Sequence, residues 1–184
     1  FPNFHEKIRS ITNGIHLHTW LSEPVRQVFD KNVSTFEDWR AHPENLAKAI
    51  ELKGNSNFRK MIFDAHQANK DNLIGVLKRW QLRSDVLTIG WARRIAGYKR
   101  PALVFHKVNR ILEIARTIGP LQIILAGKAH PNDDIGAAHI EEILDQIDRL
   151  NEYKDVVKLL ILENYDTYFC KLLTNSVDIW LNNP

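Results

Sequence analysis

The sequence predicts an α/β protein: a Rossmann-like, doubly wound parallel sheet that follows a helical segment. In the second half of the chain, short and almost wholly apolar runs alternate with stretches of helical periodicity. Strands that are apolar on both faces are typical of parallel sheets covered by helices on both sides. In the first half, the apolar residues recur at helical spacing instead. The four predicted strands are residues 86–90, 121–127, 156–162 and 177–181.

The first half divides into a loop-rich entry segment and a series of predicted helices. Residues 1–21 mix aromatic residues and histidines with a turn signal at Asn13-Gly14 and show little regular period. Ser22, followed by an acidic residue and a proline, is typical of a helix N-cap. Short helices are predicted after Ser22 and after Ser34, and further helices over 44–53 and 56–82.

The second half supplies the helices that connect the strands. A long apolar stripe follows Pro101, and Gly119-Pro120 ends it. The predicted helices are 101–118, 135–150 and 167–175. We therefore divide the chain into an entry segment (1–21), a helical segment (22–84) and a partial Rossmann-like domain (85–184). Because the sequence stops just after a predicted strand, we expect it to be a piece of a longer protein.

Composition argues against several classes of protein. The 184 residues carry 25 basic and 22 acidic side chains, for a formal net charge of +3, and the two signs are interspersed. Proteins that bind nucleic acids or membrane surfaces usually concentrate their cations, so neither partner is expected. No apolar run approaches the roughly 18 residues that a membrane span needs. The single cysteine, Cys170, fits a reducing compartment, and we expect a cytoplasmic protein.

Metal binding is not expected from the sequence. The eight histidines are scattered, and there is no cluster of cysteines. His16 and His18 have the spacing of neighbours on one face of a strand, but no third candidate ligand lies near them in the sequence.

A basic segment follows the first predicted strand. Arg93, Arg94, Lys99 and Arg100 fall within eight residues, just before a helix start at Pro101. Ligands of doubly wound sheets bind beyond the carboxyl ends of the strands. Guanidinium and ammonium groups suit phosphate oxygens, and the N–H groups at a helix start add to them. The same residues also fit a solvated surface loop, and their pattern leaves both interpretations open.

The ends of the next two strands offer further candidates. Lys128 and His130 follow the second strand, and Glu163 and Tyr165 follow the third. The lysine and the histidine fit either an anion site or an ordinary exposed turn. The carboxylate and the phenol ring fit the lining of a cleft, but the Glu-Asn-Tyr-Asp run equally fits the cap of the next helix.

Four motifs resemble those of the α-glucan phosphorylases and occur in that family's order. They cover nearly the whole chain, and the version with Ile15-His16 and Gly97-Tyr98 is more similar to the bacterial and archaeal maltodextrin-type branch than to the animal glycogen enzymes. The resemblance implies part of the carboxyl-terminal lobe of a B-type glycosyltransferase fold. The motifs are residues 11–16 with 19–21, 93–100, 126–131 and 162–165.

The resemblance also implies an activity. Enzymes of this family transfer a terminal α-1,4-linked glucosyl unit to inorganic phosphate, giving glucose 1-phosphate with retention of configuration. They use pyridoxal phosphate, whose phosphate group works beside the substrate phosphate. The implied partners are an α-1,4-glucan and inorganic phosphate, with homo-oligomerisation left open.

Individual roles follow from the resemblance residue by residue. Arg94 is similar to the arginine that clamps the substrate phosphate, and Lys99 to the lysine that bridges toward the cofactor phosphate and the sugar. Arg93 is similar to a basic residue on the cofactor phosphate, and Tyr165 to a tyrosine near the cofactor. Asp166 departs from the pattern, because the animal enzymes often carry a basic residue there. Asn13, Lys128 and Glu163 are assigned to the substrate cleft without a defined role.

The resemblance places two required parts outside this sequence. The lysine that forms the Schiff base with the cofactor would follow Pro184, and the sugar-binding loops of the other lobe would precede Phe1. We therefore expect the 184-residue chain alone to be inactive. Two other functions stay open: a nucleotide-sugar-dependent glycosyltransferase of the glycogen or starch synthase type, and a non-catalytic module that binds glucan or sugar phosphate.

Overall fold

The computed structural model describes residues 10–183, so the features predicted at residues 1–9 and at Pro184 lie outside the described residues. No helix in this range is long and apolar enough to cross a bilayer. The α-helices are α1 (Leu17–Trp20), α2 (Glu23–Lys31), α3 (Ser56–Val76), α4 (Val108–Ile118), α5 (Asp134–Leu150) and α6 (Thr167–Ser176). The strands are β1 (Leu87–Ala92), β2 (Leu121–Ala126), β3 (Val157–Leu162) and β4 (Ile179–Trp180). Short 3-10 helices cover Pro43–Leu52, Lys78–Trp80, Gly97–Lys99, Pro101–Phe105 and Asn151–Tyr153.

The four strands form one parallel sheet in the order β3-β2-β1-β4. β1 and β2 pair from Leu87 with Leu121 to Ala92 with Ala126, and β2 pairs with β3 along its whole length. β4 is short and lies beside the middle of β1. The predicted α/β class and the parallel sheet are thus confirmed.

Helices cover both faces of the sheet. Every residue of β2 is buried, and most of its apolar side chains divide between two clusters. Ile123 and Leu125 belong to the cluster that includes α4 and α5, whereas Ile124 and Ala126 belong to the cluster that includes α3 and α6. This alternation produces the three layers of a doubly wound sheet, which explains why the strand is apolar throughout.

Side-chain caps begin three of the helices. Asn55, Asp133 and Asp166 each accept a hydrogen bond from the backbone N–H three residues further on, at 2.9–3.0 Å. Ser22, predicted as the cap of α2, holds the N-cap position without such a bond. Its hydroxyl oxygen instead accepts a hydrogen bond from the buried amide of Asn69 at 2.8 Å, because a buried polar group needs a partner.

The sequence predicts α-helix between α2 and α3, and the structure differs there. Residues 34–41 form turns, with Asp38 at a φ of 47°, and Pro43–Leu52 is a 3-10 helix. The turns bury Phe36 and Trp39 in a small apolar cluster with residues of α2 and α3. This packing outweighs the weak helix preference of short segments.

The predicted helices 56–82 and 101–118 are both shorter than their apolar patterns indicate. α3 ends at Val76, and a 3-10 turn follows it. The second stretch is divided at Lys107, whose φ of −132° and ψ of 65° lie outside the helical range. Phe105, just before the break, is buried in the same cluster as α4, so the break lets both pieces contact the core.

The helical segment packs directly on the sheet. Leu73 and Leu77, from α3 and the residue that ends it, lie in the same apolar cluster as α6. Lys70 of α3 is buried, and its Nζ donates to Asp178 Oδ2 at 2.6 Å and to the Val86 carbonyl at 2.7 Å. The domain boundaries near residues 21 and 84 stay predictions.

Candidate functional site

The basic segment lies where the strand order changes direction. The sheet runs from β3 through β2 to β1, and the next strand, β4, is on the far side of β1. In doubly wound sheets the ligand crevice opens at this switch point, beyond the carboxyl ends of the strands. Residues 93–100 follow β1 and residues 181–183 follow β4, so both segments lie at the switch point.

The loops after β1 and β2 continue side by side past the strand ends. The N–H of Arg93 donates to the Ala126 carbonyl at 3.1 Å, and the N–H of Ile95 donates to the Lys128 carbonyl at 3.0 Å. Gly127 lies at the closest approach, where a Cβ would overlap the carbonyl oxygen of Arg93. Glycine is therefore required for the two backbones to come this close.

Gly127→Ala is expected to destabilise the protein by about 1–3 kcal/mol, because the new methyl group meets backbone rather than a flexible side chain. Gly75→Ala in α3 is the matched control, since no atom beyond its chain neighbours and the backbone of its own helix lies within 4 Å of a Cβ placed there. That change should instead stabilise the helix by up to about 1 kcal/mol. Urea unfolding followed by circular dichroism measures both, and a Gly127→Ala variant as stable as the parent would contradict the close approach.

Arg94, Tyr98 and Lys99 form one largely exposed group on the basic loop. Arg94 Nη2 donates to the Tyr98 hydroxyl oxygen at 2.8 Å. Lys99 Nζ lies 4.7 Å from the centroid of the Tyr98 ring, within the range of a cation–π contact. The hydrogen bond from Arg94 lowers the pKa of the Tyr98 phenol. Tyr98 thus contacts Arg94 through its hydroxyl group and Lys99 through its ring, which places the two cations near each other.

Asn183, three residues after the end of β4, is a residue of this site that the sequence pattern does not identify. Its Oδ1 accepts a hydrogen bond from Trp91 Nε1 at 2.6 Å. Its Nδ2 donates to the carbonyls of Lys99 at 2.8 Å and Arg100 at 3.0 Å. Its own carbonyl accepts from Arg93 Nη1 at 2.5 Å. The sequence holds one signal for this role, the position of Asn183 two residues after a predicted strand.

Arg100 ends the loop in the left-handed conformation, with a φ of 47° and a ψ of 56°. Residues other than glycine rarely adopt this conformation, and a residue before proline is pushed toward extended angles. Pro101 follows and begins a 3-10 helix. The hydrogen bond from Asn183 to the Arg100 carbonyl contributes to holding this strained backbone in place.

Lys128 and Glu163, two of the residues assigned to the substrate cleft, follow neighbouring strands but have different surroundings. Lys128 is exposed on the loop after β2, beside the backbone of Ile95. Glu163 lines a cleft of about 420 Å³ with the residues that follow α3 and with Phe169 of α6. The structure therefore places Lys128 next to the basic loop and Glu163 at a cleft beside α3 and α6.

Tyr165 and Asn13 occupy two further places. Tyr165 is half-buried and packs against the apolar cluster of α3 and α6. Burial raises the pKa of its phenol, and a hydrogen bond with Cys170 adds to the effect. Asn13 lies in an exposed, irregular segment before α1.

The group that the structure brings together consists of Arg93, Arg94 and Lys99 with Tyr98 and Asn183.

The histidines near the start of the described chain have hydrogen-bonding partners of their own. His16 Nδ1 is 2.7 Å from Thr19 Oγ1, and His18 Nε2 is 2.8 Å from the Arg40 carbonyl. Across residues 10–183, no three His, Cys, Asp or Glu side chains gather in a way that could hold a metal ion.

The basic loop has the chemistry of an anion site. Arg93 and Arg94 supply planar sets of N–H donors, and Lys99 supplies an ammonium group. A guanidinium group has five N–H donors, and the bond from Arg93 to Asn183 uses one of them. Such a set suits the several oxygens of a phosphate group better than a neutral sugar.

Comparison with known proteins identifies the family of this chain. Residues 2–180 match the carbohydrate phosphorylase family. A glycogen phosphorylase of Aquifex aeolicus is 33% identical over 216 residues, covering 100% of this chain and 29% of that protein. A maltodextrin phosphorylase of Thermococcus litoralis is 30% identical over 195 residues, covering 96% of this chain and 22% of that protein. An uncharacterized protein of Methanocaldococcus jannaschii is 37% identical over 102 residues, covering 55% of this chain and 18% of that protein.

The chain spans less than a third of the length of these relatives. Its parallel sheet with helices on both faces is the architecture expected for part of the carboxyl-terminal lobe of a B-type glycosyltransferase fold. The family match includes the basic loop and all four strands. The chain therefore belongs to the carbohydrate phosphorylase family.

Proposed function

We propose that the full-length protein carrying this chain is an α-glucan phosphorylase. It transfers the terminal α-1,4-linked glucosyl unit of a glucan to inorganic phosphate and releases glucose 1-phosphate with retention of configuration. The observation that carries this proposal is the group of Arg93, Arg94 and Lys99 at the switch point of the sheet. The relatives named as glycogen and maltodextrin phosphorylases support the choice of substrate.

In this proposal Arg94 binds and orients the substrate phosphate, and Lys99 bridges toward the cofactor phosphate and the sugar. Transfer of a glucosyl unit develops charge beside the phosphate, and cations that are already in place stabilise that charge. Tyr98 contacts both side chains, so part of their rotational freedom is lost before any ligand binds. Such preorganisation reduces the entropic cost of binding phosphate.

The same edge of the sheet suits the phosphate group of pyridoxal phosphate. Arg93 supplies guanidinium donors and Lys99 a second cation, which is the chemistry that a phosphate dianion requires. Tyr165 is proposed to lie near the cofactor with its phenol neutral, because burial raises its pKa. When bound, the phosphate group of the cofactor supplies acid catalysis to the substrate phosphate.

The proposal also covers the glucan cleft, the cellular location and the oligomeric state. The side chains assigned to the glucan cleft are Asn13, Lys128 and Glu163. A cytoplasmic location and a homo-oligomeric state of the full-length protein belong to the same proposal.

Phosphorolysis by the purified full-length protein tests the proposed function. Maltoheptaose and inorganic phosphate should yield glucose 1-phosphate, and the protein should absorb in the pyridoxal band. The 184-residue chain alone should release no glucose 1-phosphate, because the lysine that bonds to the cofactor is expected beyond Pro184. A full-length protein that transfers glucose from a nucleotide sugar and not to phosphate would overturn the proposal.

A further inference from the structure

We propose that Asn183 is a positioning residue that sets the geometry of two cations of the phosphate site: Lys99, which lies between the two phosphate groups, and Arg93, which binds the cofactor phosphate. The inference rests on the proposed function, because it concerns the same site. Asn183 acts through its neighbours: it fixes the backbone that carries one cation and the side chain of the other.

Both the oxygen and the nitrogen of the Asn183 side-chain amide form hydrogen bonds. Its oxygen accepts from the indole N–H of Trp91, a residue of β1 that is 1% exposed. Its nitrogen donates to two successive carbonyls, those of Lys99 and Arg100, at 2.8 and 3.0 Å. One side chain therefore links the buried end of β1 to the far end of the basic loop, and the position of Lys99 depends on that link.

The backbone of Asn183 holds the second cation. Its carbonyl accepts from Arg93 Nη1, which directs this guanidinium group toward the end of β4. The residue thus connects the loop after β1 with the segment after β4, the two segments that border the switch point. Ligands of doubly wound sheets bind in the crevice between such segments.

Charge explains why an amide is suited to this position. The loop carries Arg93, Arg94, Lys99 and Arg100 within eight residues, and a carboxylate among them would pair with the cations. Such a pair would compete with phosphate for the same groups and would lack the N–H donors that reach the two carbonyls. An asparagine supplies both a donor and an acceptor without adding charge.

The test uses the full-length protein with three substitutions: Asn183→Ala, Asn183→Asp and, as a control, Asn182→Ala at the exposed neighbouring position. Two quantities are measured, the KM for phosphate against the KM for maltoheptaose, and the equilibrium binding of inorganic phosphate by calorimetry. Asn183→Ala should weaken phosphate binding and raise the phosphate KM by about tenfold. The KM for glucan should stay within about twofold, and Asn182→Ala should match the parent protein in both.

The aspartate variant separates positioning from mere support of the fold. Both variants lose the N–H donors to the two carbonyls, and aspartate alone keeps an acceptor for Trp91, so a purely structural role predicts phosphate binding that follows the thermal stability of the two variants. Positioning of a phosphate site predicts weaker phosphate binding in Asn183→Asp than its thermal stability accounts for, because the added carboxylate pairs with the nearby cations. Phosphate binding that is weaker in Asn183→Asp than in Asn183→Ala is the expected result.

Two results would overturn the inference: phosphate binding and KM unchanged in Asn183→Ala, or equal losses for phosphate and glucan that follow a loss of thermal stability. Failure of the proposed function has a different signature, in which the parent protein binds phosphate but releases no glucose 1-phosphate. In that case the calorimetric comparison of the variants still decides the role of Asn183. A parent protein that binds no phosphate overturns both.

Discussion

Arg94→Ala and Lys99→Ala in the full-length protein are each expected to lower kcat/KM for phosphorolysis by about tenfold to more than a hundredfold. A charge-assisted hydrogen bond to phosphate contributes about 1.5–3 kcal/mol, and each 1.4 kcal/mol corresponds to about tenfold in rate. Tyr98 contacts both side chains, so both cations are positioned before phosphate binds. Steady-state kinetics at varied phosphate concentration measures the loss.

Arg83→Ala is the matched control for this experiment. It removes the same charge from an exposed arginine that pairs with Asp85, before β1 begins and away from the carboxyl ends of the strands. Its phosphorolysis should equal that of the parent protein. Unchanged phosphorolysis in both Arg94→Ala and Lys99→Ala would refute their assignment, and an equal loss in Arg83→Ala would indicate a general effect of net charge.

Asp178→Asn is expected to destabilise the protein by about 2–3 kcal/mol, the largest effect on folding that we predict from one polar group. The carboxylate accepts hydrogen bonds from Lys70 at 2.6 Å, from the Thr88 N–H at 2.7 Å and from His66 at 2.9 Å. Because the Lys70 side chain is 4% exposed, loss of the carboxylate leaves a buried charge without its counter-ion. The carboxylate is 22% exposed, and solvent screening keeps the expected loss at the lower end. Urea unfolding at pH 7 measures it.

The same carboxylate makes stability depend on pH. Partial burial acts to raise the pKa of Asp178, but the hydrogen bonds from Lys70, His66 and Thr88 outweigh it and lower the pKa. A lowered pKa stabilises the folded protein fully above the unfolded-state pKa of about 4, and the contribution is lost as pH falls through the folded-state value. The difference between the parent protein and Asp178→Asn should therefore shrink between pH 7 and pH 3.

Asp85→Asn serves as the control for both measurements. Asp85 is exposed and pairs with Arg83 on the surface, so its loss should change stability little at either pH. If the Asp178→Asn variant lost the same free energy of unfolding, relative to the parent protein, at pH 7 and at pH 3, the role given to this carboxylate would be contradicted.

The strands could be predicted because a strand buried on both faces leaves a pattern that few other elements share. The sequence predicts β2 over 121–127, and the strand spans Leu121–Ala126 with all six residues buried. Its one polar residue, Gln122, does not break the strand, since its amide bonds to Thr88 and to the backbone of Arg83. The turns around Phe36 could not be predicted, because packing against other elements decides them rather than local preference.

The site could be predicted in part. The sequence identifies its cations because they follow a predicted strand, and ligands of doubly wound sheets bind beyond the carboxyl ends of the strands. The role of Asn183 depends on hydrogen bonds to residues between 83 and 92 positions away. A single sequence does not show which distant groups a short polar side chain will meet, so this part of the site became visible only in three dimensions.

The left-handed backbone of Arg100 bears on any attempt to raise the thermostability of this protein by directed evolution. Glycine at this position would relieve the strain in the folded backbone, although it would also give the unfolded chain more freedom. It would remove a cation from the basic loop as well. A screen that rewards heat resistance alone would weigh the backbone strain against the contacts of the arginine, whereas a screen that also rewards turnover would weigh the charge of the loop as well. At position 100, a substitution that relieves backbone strain is thus expected to weaken the proposed activity.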